Sequence, residues 1–563
     1  MSFVLAGMRR RQAARIGLAG LLAAVAVLVA ARSGAEHRAA PLNAQLPWHA
    51  ARLDAAGRLQ PWYRPGRGLG YDHVLRLGWQ FIERKVPVDA RTGRKVYLGY
   101  AVFDRRTKQG TYWQHNPASL YASFVDSLLP WYAYSGDRGA IAVVREMLDY
   151  QLDHGTTPAA WAWSGVPFAT SCAGDTEYGR CLAGMPRGFY GGIEPDKVGL
   201  LGLGYLRFYE LTGERRYLTA ALRCARALAK HVHPGDARHT PWPFRLDART
   251  GRTVEGARYG GIVVAPVWLL DELVRLHTGD TASFRRARDL AWDWLVRHPL
   301  DRSSPAWNDW SGHYEDIDYD RRDLNQAAPT MTALYLLMHP SPGTIDPEWR
   351  THAHELVEWV RSYLGRGPFH GAWAIDEQRT PGSAFSCCSP AGLGSDTARW
   401  AAAGILLGVR LHDHAFSRDA ARSLAYATYF TRGDGTVSCC GAGYSEPYWF
   451  SDGYGDYLRS FSWALGADPA LAPPGRSHLL RSSSVVQAVS YGRARVSYRT
   501  FAPRSVEVLR LAFRPTQVLA GGRPLPGRED LRRAGFVVRP LRGGDVVLRV
   551  RHDDARRITI SRR

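Results

Sequence analysis

Apolar residues recur at every third or fourth position through most of this chain, the spacing that turns one face of an α-helix toward a core. The pattern predicts helices over residues 71–84, 118–134, 140–152, 198–211, 217–232, 263–277, 283–297, 329–338, 347–364, 397–412, 417–430 and 455–465. Three of the joints repeat one another: 131–137 reads WYAYSGD, 208–217 reads FYELTGERRY and 272–280 reads ELVRLHTGD. Each closes one apolar helix and opens the next, and fainter copies follow at 338–343 and 411–414. Self-similarity at roughly 65 to 75 residues marks like units that bury their apolar faces on one another. The ten internal helices make five hairpins. Helices 71–84 and 455–465 pair from opposite ends of the chain, supply a sixth and close the array into a ring.

After Pro473-Pro474-Gly475 the period changes. β-Branched and aromatic residues alternate or cluster over 485–489, 494–498, 506–512, 517–519, 536–538, 546–550 and 558–560, between Gly, Pro and Asp turns. These are the strands of a small antiparallel β-sandwich, and 516–525 reads as strand, tight turn, strand. The layout expected is a segment 1–35, an entry segment 36–69, a helical toroid 70–470 and a β-sandwich module 475–563.

The ends of the chain change the picture more than its bulk composition does. With 563 residues, 45% hydrophobic and 22% charged, it is long enough for a large domain and a smaller one, and its composition is not that of a disordered chain. Arg9, Arg10, Arg11 and Arg15 precede an apolar run over 16–31, and Ser33-Gly34-Ala35 offers small residues where a signal peptidase cuts. The Arg pair is similar to a twin-arginine signal. An apolar run of about 16 residues is short beside the roughly 20 a membrane span needs, so the chain is expected to be exported to a periplasm or the extracellular space. If the segment is not cleaved, it attaches the protein to the inner membrane.

The formal net charge is +21, which raises nucleic acid as a partner. Only five of the 73 basic residues are lysine, and residues 471–563 hold 20 Arg against 6 Asp plus Glu, so much of the excess is local. No nucleic-acid-binding motif accompanies it, and an acidic glycan is the partner class that remains.

Export makes the seven cysteines legible. Cys172 and Cys181 flank a short polar loop and suit a disulfide, while Cys224 lies on a helical face as a small buried hydrophobe. Cys387-Cys388 and Cys439-Cys440 are vicinal pairs that fit either two crossed disulfides or a zinc thiolate cluster. Asp316, Asp318 and Asp320 open like a calcium loop but lack its glycine and closing glutamate. No cofactor is expected, with zinc or calcium the ions that these residues would take.

The Thr-Gly-Asp/Glu turns at 212–214 and 278–280, the aromatic loops and the terminal strand-turn-strand line together make the chain similar to the six-hairpin, (α/α)6-barrel glycosidases and the polysaccharide lyases that share their toroid. The resemblance covers roughly residues 70–560. It implies carbohydrate chemistry on an (α/α)6 toroid followed by a β-sandwich. The vicinal cysteines also resemble those of the β-L-arabinofuranosidase group, in which a zinc-bound cysteine acts as nucleophile beside a glutamate.

In a ring of hairpins, the loops entering the inner helices open on one face, and this chain places its aromatic and charged residues in those loops. They hold Tyr112 to Asn116, Tyr190 to Asp196, Tyr259 to Gly261, Trp307 to Asn325, Phe369 to Asp396 and Tyr444 to Asp456. Aromatic rings stack on sugar C–H faces and polar groups bind hydroxyls, so this is the lining a glycan cleft requires. Hydrolysis of a glycosidic bond needs two carboxyl groups. The expectation is Glu315 as acid and Asp196 as base, with Glu194 and Asp316 in reserve; Asp196 also fits a helix N-cap and Glu315 a structural hydrogen bond. His115, Asn116, Tyr190, Trp310, His313, Tyr314, Trp373, Asp376 and Glu377 are the expected substrate contacts. A lyase or epimerase acting on an acidic glycan would draw on His115, Tyr314 and Arg379 instead, and a non-catalytic glycan-binding or envelope-assembly protein is the third alternative.

Overall fold

The repeated joints share a left-handed glycine. Gly136 and Gly213 are left-handed C-caps, with φ of 74° and 79°, and Gly279, directly before the next helix, is left-handed too at 78°, a conformation that side chains with a Cβ disfavour. The next residues start the following helix, and Asp280 accepts a hydrogen bond from the Ser283 amide. The computed structural model of the chain describes residues 46–63, 69–312, 323–382, 391–438 and 447–562. Among them are twelve α-helices: α1 (Leu69–Arg84), α2 (Pro117–Ser135), α3 (Gly139–His154), α4 (Pro195–Thr212), α5 (Arg215–Lys230), α6 (Val264–Arg275), α7 (Thr281–Arg297), α8 (Ala327–Met338), α9 (Trp349–Leu364), α10 (Gly394–Leu411), α11 (His414–Ala427) and α12 (Tyr457–Ala467).

The even-numbered helices pack side by side in the order α2, α4, α6, α8, α10, α12 and back to α2. Odd-numbered helices back them from outside, and α1 backs α12, so the two ends of the toroid meet in the sixth hairpin as the periodicity predicts. The inner helices α8 and α10 are buried around most of their circumference, whereas outer α5 buries one stripe, including Tyr217, Ala221, Cys224 and Leu228. Burial pushes the Cys224 thiol up to about 12, which keeps it an apolar filler.

Short strand pairs stitch the loops: β1 (Val102–Asp104) with β8 (Pro447–Trp449), β2 (Gly192–Ile193) with β3 (Leu246–Asp247), and β4 (Leu324–Asn325) with β7 (Gln378–Arg379). A hairpin of β5 (Gly365–Phe369) and β6 (Ala372–Ile375) follows α9 directly. Periodicity does not reveal this hairpin, because its strands are short and Gly365, Gly367 and the turn residue Gly371 interrupt the pattern. Cys172 and Cys181 form the expected disulfide, with Cα atoms 5.0 Å apart.

The C-terminal module is a sandwich of two antiparallel sheets. One sheet runs in the order β10 (Val486–Tyr491), β11 (Arg495–Thr500), β17 (Arg557–Ser561), β13 (Gln517–Ala520) and β14 (Arg523–Pro524). Its partner runs β15 (Gly535–Pro540), β16 (Val546–His552), β12 (Ser505–Leu511) and β9 (His478–Ser482). Leu509, Leu548 and Val550 meet Val496, Val518, Ile558 and Ile560 between them. Strand β9 is an addition to the sequence reading, since its flanking serines and arginines hide a three-residue buried stretch.

The sandwich caps the C-terminal ends of inner helices and leaves their N-terminal ends to the loops. His478 Nδ1 donates to the Tyr134 carbonyl at 2.9 Å, and the Gln487 side chain donates to the Glu210 carbonyl at 2.7 Å. Burial, and then the charge of Glu272, push the Glu210 carboxyl up to about 8. The folded state therefore holds a proton there that the unfolded chain releases near 4.5, so this site's contribution to stability is fully present below pH 4.5 and is lost as pH rises through 8. Glu210→Gln is expected to stabilise the protein at pH 8.5 by on the order of 2 kcal/mol and to change little at pH 4. Urea unfolding at the two pH values checks this; equal effects at both would mean that Glu210 titrates in the fold as it does in the unfolded chain. No helix among the described residues is long and apolar enough to cross a membrane, and residues 1–35 lie outside them.

Candidate active site

The loops before the six inner helices join into a collar. Besides the three strand pairs, the loops before α2 and α4 meet where the backbones of His115 and Ser171 exchange hydrogen bonds of 3.0 and 2.7 Å. Those before α6 and α8 meet at Gly260 and Gly312, where Gly261 N donates to Gly312 O; a Cβ on Gly260 would lie 2.2 Å from the Gly312 Cα. Both positions therefore need glycine for the backbones to touch. The Gln326 amide donates to Glu377 O at 3.0 Å and joins the loop before α8 to the one before α10. Inner-helix N-termini thus share one rimmed face, and Asp196 and Asp396 in the first turns of α4 and α10 complement the helix dipoles.

At the start of α4 two carboxylates and two cations form a buried cluster. Lys197 Nζ lies 2.8 Å from Asp196 Oδ2 and 3.1 Å from Glu194 Oε2, and Arg245 Nε donates to Glu194 Oε1 at 2.6 Å. The ring of Phe244 lies against both cations, 4.9 Å from Lys197 and 4.4 Å from Arg245. Burial acts to raise the Glu194 carboxyl, and Lys197 and Arg245 outweigh it, leaving the group below its ordinary range. Asp196 moves the other way, raised by burial and by the charge on Glu194 against the pull of Lys197. Paired carboxyls whose surroundings push them apart are the arrangement from which acid–base roles are drawn. Only Asp196 of the two lines the small cleft formed with Trp242, Phe244, Gly260 and Gly261.

A second charged array occupies the axis of the ring. Arg207 of α4 pairs with Asp126 of α2, Asp126 with Arg459 of α12 at 3.1 Å, Arg459 with Asp456, Asp456 with Arg399 of α10, and Arg399 with Asp396 at 3.1 Å. Met331 of α8 lies 3.8 Å from Arg459, and Trp268 of α6 stacks 5.1 Å from the Arg207 guanidinium. Every inner helix thus touches the array. Asp456 closes a π-helical turn, Ser451–Asp456, a conformation concentrated at functional sites. Asp396 and Asp456 stand in the loops the sequence singles out, whereas Asp126, Arg207, Arg399 and Arg459 escaped the sequence reading; the signal was a lone charge on an otherwise apolar inner helix, as at Asp126 in ASFVDSLL.

The expected substrate contacts are distributed unevenly. Tyr190 is exposed and meets Trp161 edge-on at 5.4 Å, Asn116 precedes α2, Trp373 and Glu377 are half-buried, and Arg379 lies in β7. His115 is fully buried: its Nε2 donates to the Tyr97 carbonyl at 3.0 Å, and burial holds the imidazole down at about 3, so it stays neutral and offers no exposed atom to a ligand. Trp310 is buried too, with its indole on Asn308, and Asp376 is held by Arg366 at 2.5 Å. His313, Tyr314, Glu315, Asp316, Asp318, Asp320, Cys387, Cys388, Cys439 and Cys440 lie outside the described residues. Among the described residues no three His, Cys, Asp or Glu side chains gather as metal ligands.

The fold this geometry defines is an (α/α)6 toroid followed by a β-sandwich. Solved structures similar to the chain include a sugar epimerase from a ruminal bacterium, with TM-score 0.50 at 9% identity, covering 71% of this chain and 99% of that one. A D-mannose isomerase has TM-score 0.51 at 12% identity, covering 73% and 99%. At those identities the likeness is one of fold. No family model and no curated protein matches the sequence.

Proposed function

We propose that the protein is an exported carbohydrate-active enzyme, a glycoside hydrolase that cleaves a polysaccharide or oligosaccharide between two carboxyl groups. The observation that supports this most is where exposed aromatic surface lies. Among the described residues, Tyr112, Trp113, Tyr190 and Trp307 are 92%, 42%, 40% and 48% exposed, and all four stand in the collar loops. Exposed rings grouped on one face beside charged groups are suited to sugar rings, which present C–H faces to stack and hydroxyls to hydrogen-bond.

In this reading Asp196 activates a water from the raised, cleft-facing carboxylate while Glu315 protonates the departing glycosidic oxygen. The water oxygen bonds to the anomeric carbon, the glycosidic C–O bond breaks, and the proton taken by Asp196 replaces the one given by Glu315 once solvent re-equilibrates the pair. Lys197 positions Asp196, and Arg245 and Lys197 keep Glu194 ionised beside it. Zinc at the vicinal cysteines would replace this scheme with a thiolate nucleophile.

A panel of polysaccharides, assayed with purified residues 36–563 for new reducing ends and for the absorbance of an unsaturated uronate, tests the proposal. Reducing ends without absorbance are expected. Absorbance would establish a lyase, and silence across the panel would leave a binding protein. Glu315→Gln is expected to keep ligand binding and lower turnover by about 10²–10⁴-fold; unchanged turnover would remove Glu315 from the acid role.

A further inference from the structure

The outer face of the sheet β15-β16-β12-β9 carries a row of arginines that have no acidic partner among the described residues. Val508 of β12 is flanked in register by Arg481 on β9 and Arg549 on β16, so the two guanidiniums rise from one face two strands apart, about 9.5 Å by ordinary strand spacing. Arg539 of β15 is two residues beyond Val537, the register partner of Arg549, and shares that face. The row continues onto the toroid, where Arg410 near the end of α10 lies close enough for its charge to act on Arg481, and Arg350 of α9 acts on Arg410. Arg410 and Arg350 both stack on the Trp349 ring, at 5.2 and 4.7 Å.

Arg350, Arg481, Arg539 and Arg549 are exposed, Arg410 is half-buried, and among the described residues none of the five is in an ion pair. Elsewhere in the module Arg510, Arg523 and Arg551 each hold an aspartate. Crowding by protein atoms, then the charges of Arg549 and Arg410, push the Arg481 guanidinium down to about 10. Like charges held together without counter-charges cost folding free energy, and an anionic ligand would recover it.

The geometry points to an acidic-polysaccharide docking shelf where the sandwich meets the toroid, separate from the collar and serving to hold a carboxylated glycan chain. A row of sites spread over several strands suits an extended polymer better than a single small anion. Guanidinium forks match planar carboxylates two bonds at a time. A membrane surface is disfavoured because Val409 is the one exposed large apolar side chain, among the described residues, in the α9–α10 and sandwich region, and interfacial binding needs an apolar anchor beside the charge. The choice of a glycan rests on the carbohydrate reading above; the shelf itself does not.

The test is binding of the full exported chain to polygalacturonate, with dextran as the neutral polymer and with duplex DNA and phosphatidylglycerol vesicles as the other polyanions. Polygalacturonate is expected to bind and to weaken with salt, dextran to leave the shelf empty, and R481E/R549E to weaken polygalacturonate binding by about tenfold or more. R481Q/R549Q removes like-charge repulsion and should melt no lower than the parent, so it carries the binding test if the reversal fails to fold. Unchanged binding in both variants, or tighter binding to DNA or vesicles than to polygalacturonate, overturns the proposal. Turnover in the polysaccharide panel with unchanged shelf binding would sink the shelf and keep the enzyme; lost shelf binding in a protein that turns over nothing would do the reverse.

Discussion

Asp456→Asn is expected to destabilise the folded protein by about 3–5 kcal/mol, the range seen when one partner is removed from a buried ion pair. Asp456 sits between Arg399 and Arg459 in the axis of the ring, with all three side chains largely enclosed. Asparagine keeps the volume and removes the charge, so two guanidiniums would share the remaining carboxylates, Asp396 and Asp126. The loss would fall on the contacts between α10, α12 and α2, which close the ring. Urea denaturation followed by circular dichroism measures it, and a loss below about 1 kcal/mol would mean that water reaches the axis and solvates the arginines.

Asp196→Asn should lower turnover by about 10²–10⁴-fold while leaving ligand binding in place. The substitution keeps a hydrogen-bonding oxygen for the Ile262 amide and leaves Lys197 its second partner, Glu194 at 3.1 Å. What disappears is the one carboxylate of the cluster that borders the cleft. Parallel measurement of kcat, KM and melting temperature separates the roles: a fall in kcat alone fits a base, whereas a fall in melting temperature with unchanged kcat would make Asp196 a helix-start residue.

The toroid was legible because its hairpins repeat. A left-handed glycine followed by an acid recurs at fixed positions, and it leaves the same letters in the sequence at Gly136, Gly213 and Gly279. The pairing of α1 with α12 was also legible, since each has an apolar stripe and no neighbour in sequence to bury it against. The site was legible only as a face. Tyr112, Tyr190 and Trp307 could be assigned to it from their loops, but burial is not written in residue type, and His115, with the same loop position, is enclosed.

Local sequence determined the helices, their caps, the change of period at the sandwich and which loops share an end of the ring, because each depends on residues a few positions apart. Tertiary structure alone decided which charges meet: Asp126 with Arg459 across 333 positions, Glu194 with Arg245 across 51, and Arg481 facing Arg549 without an acid between them. Charge interactions act through space, at distances set by how helices and strands pack, and no spacing along the chain encodes that distance.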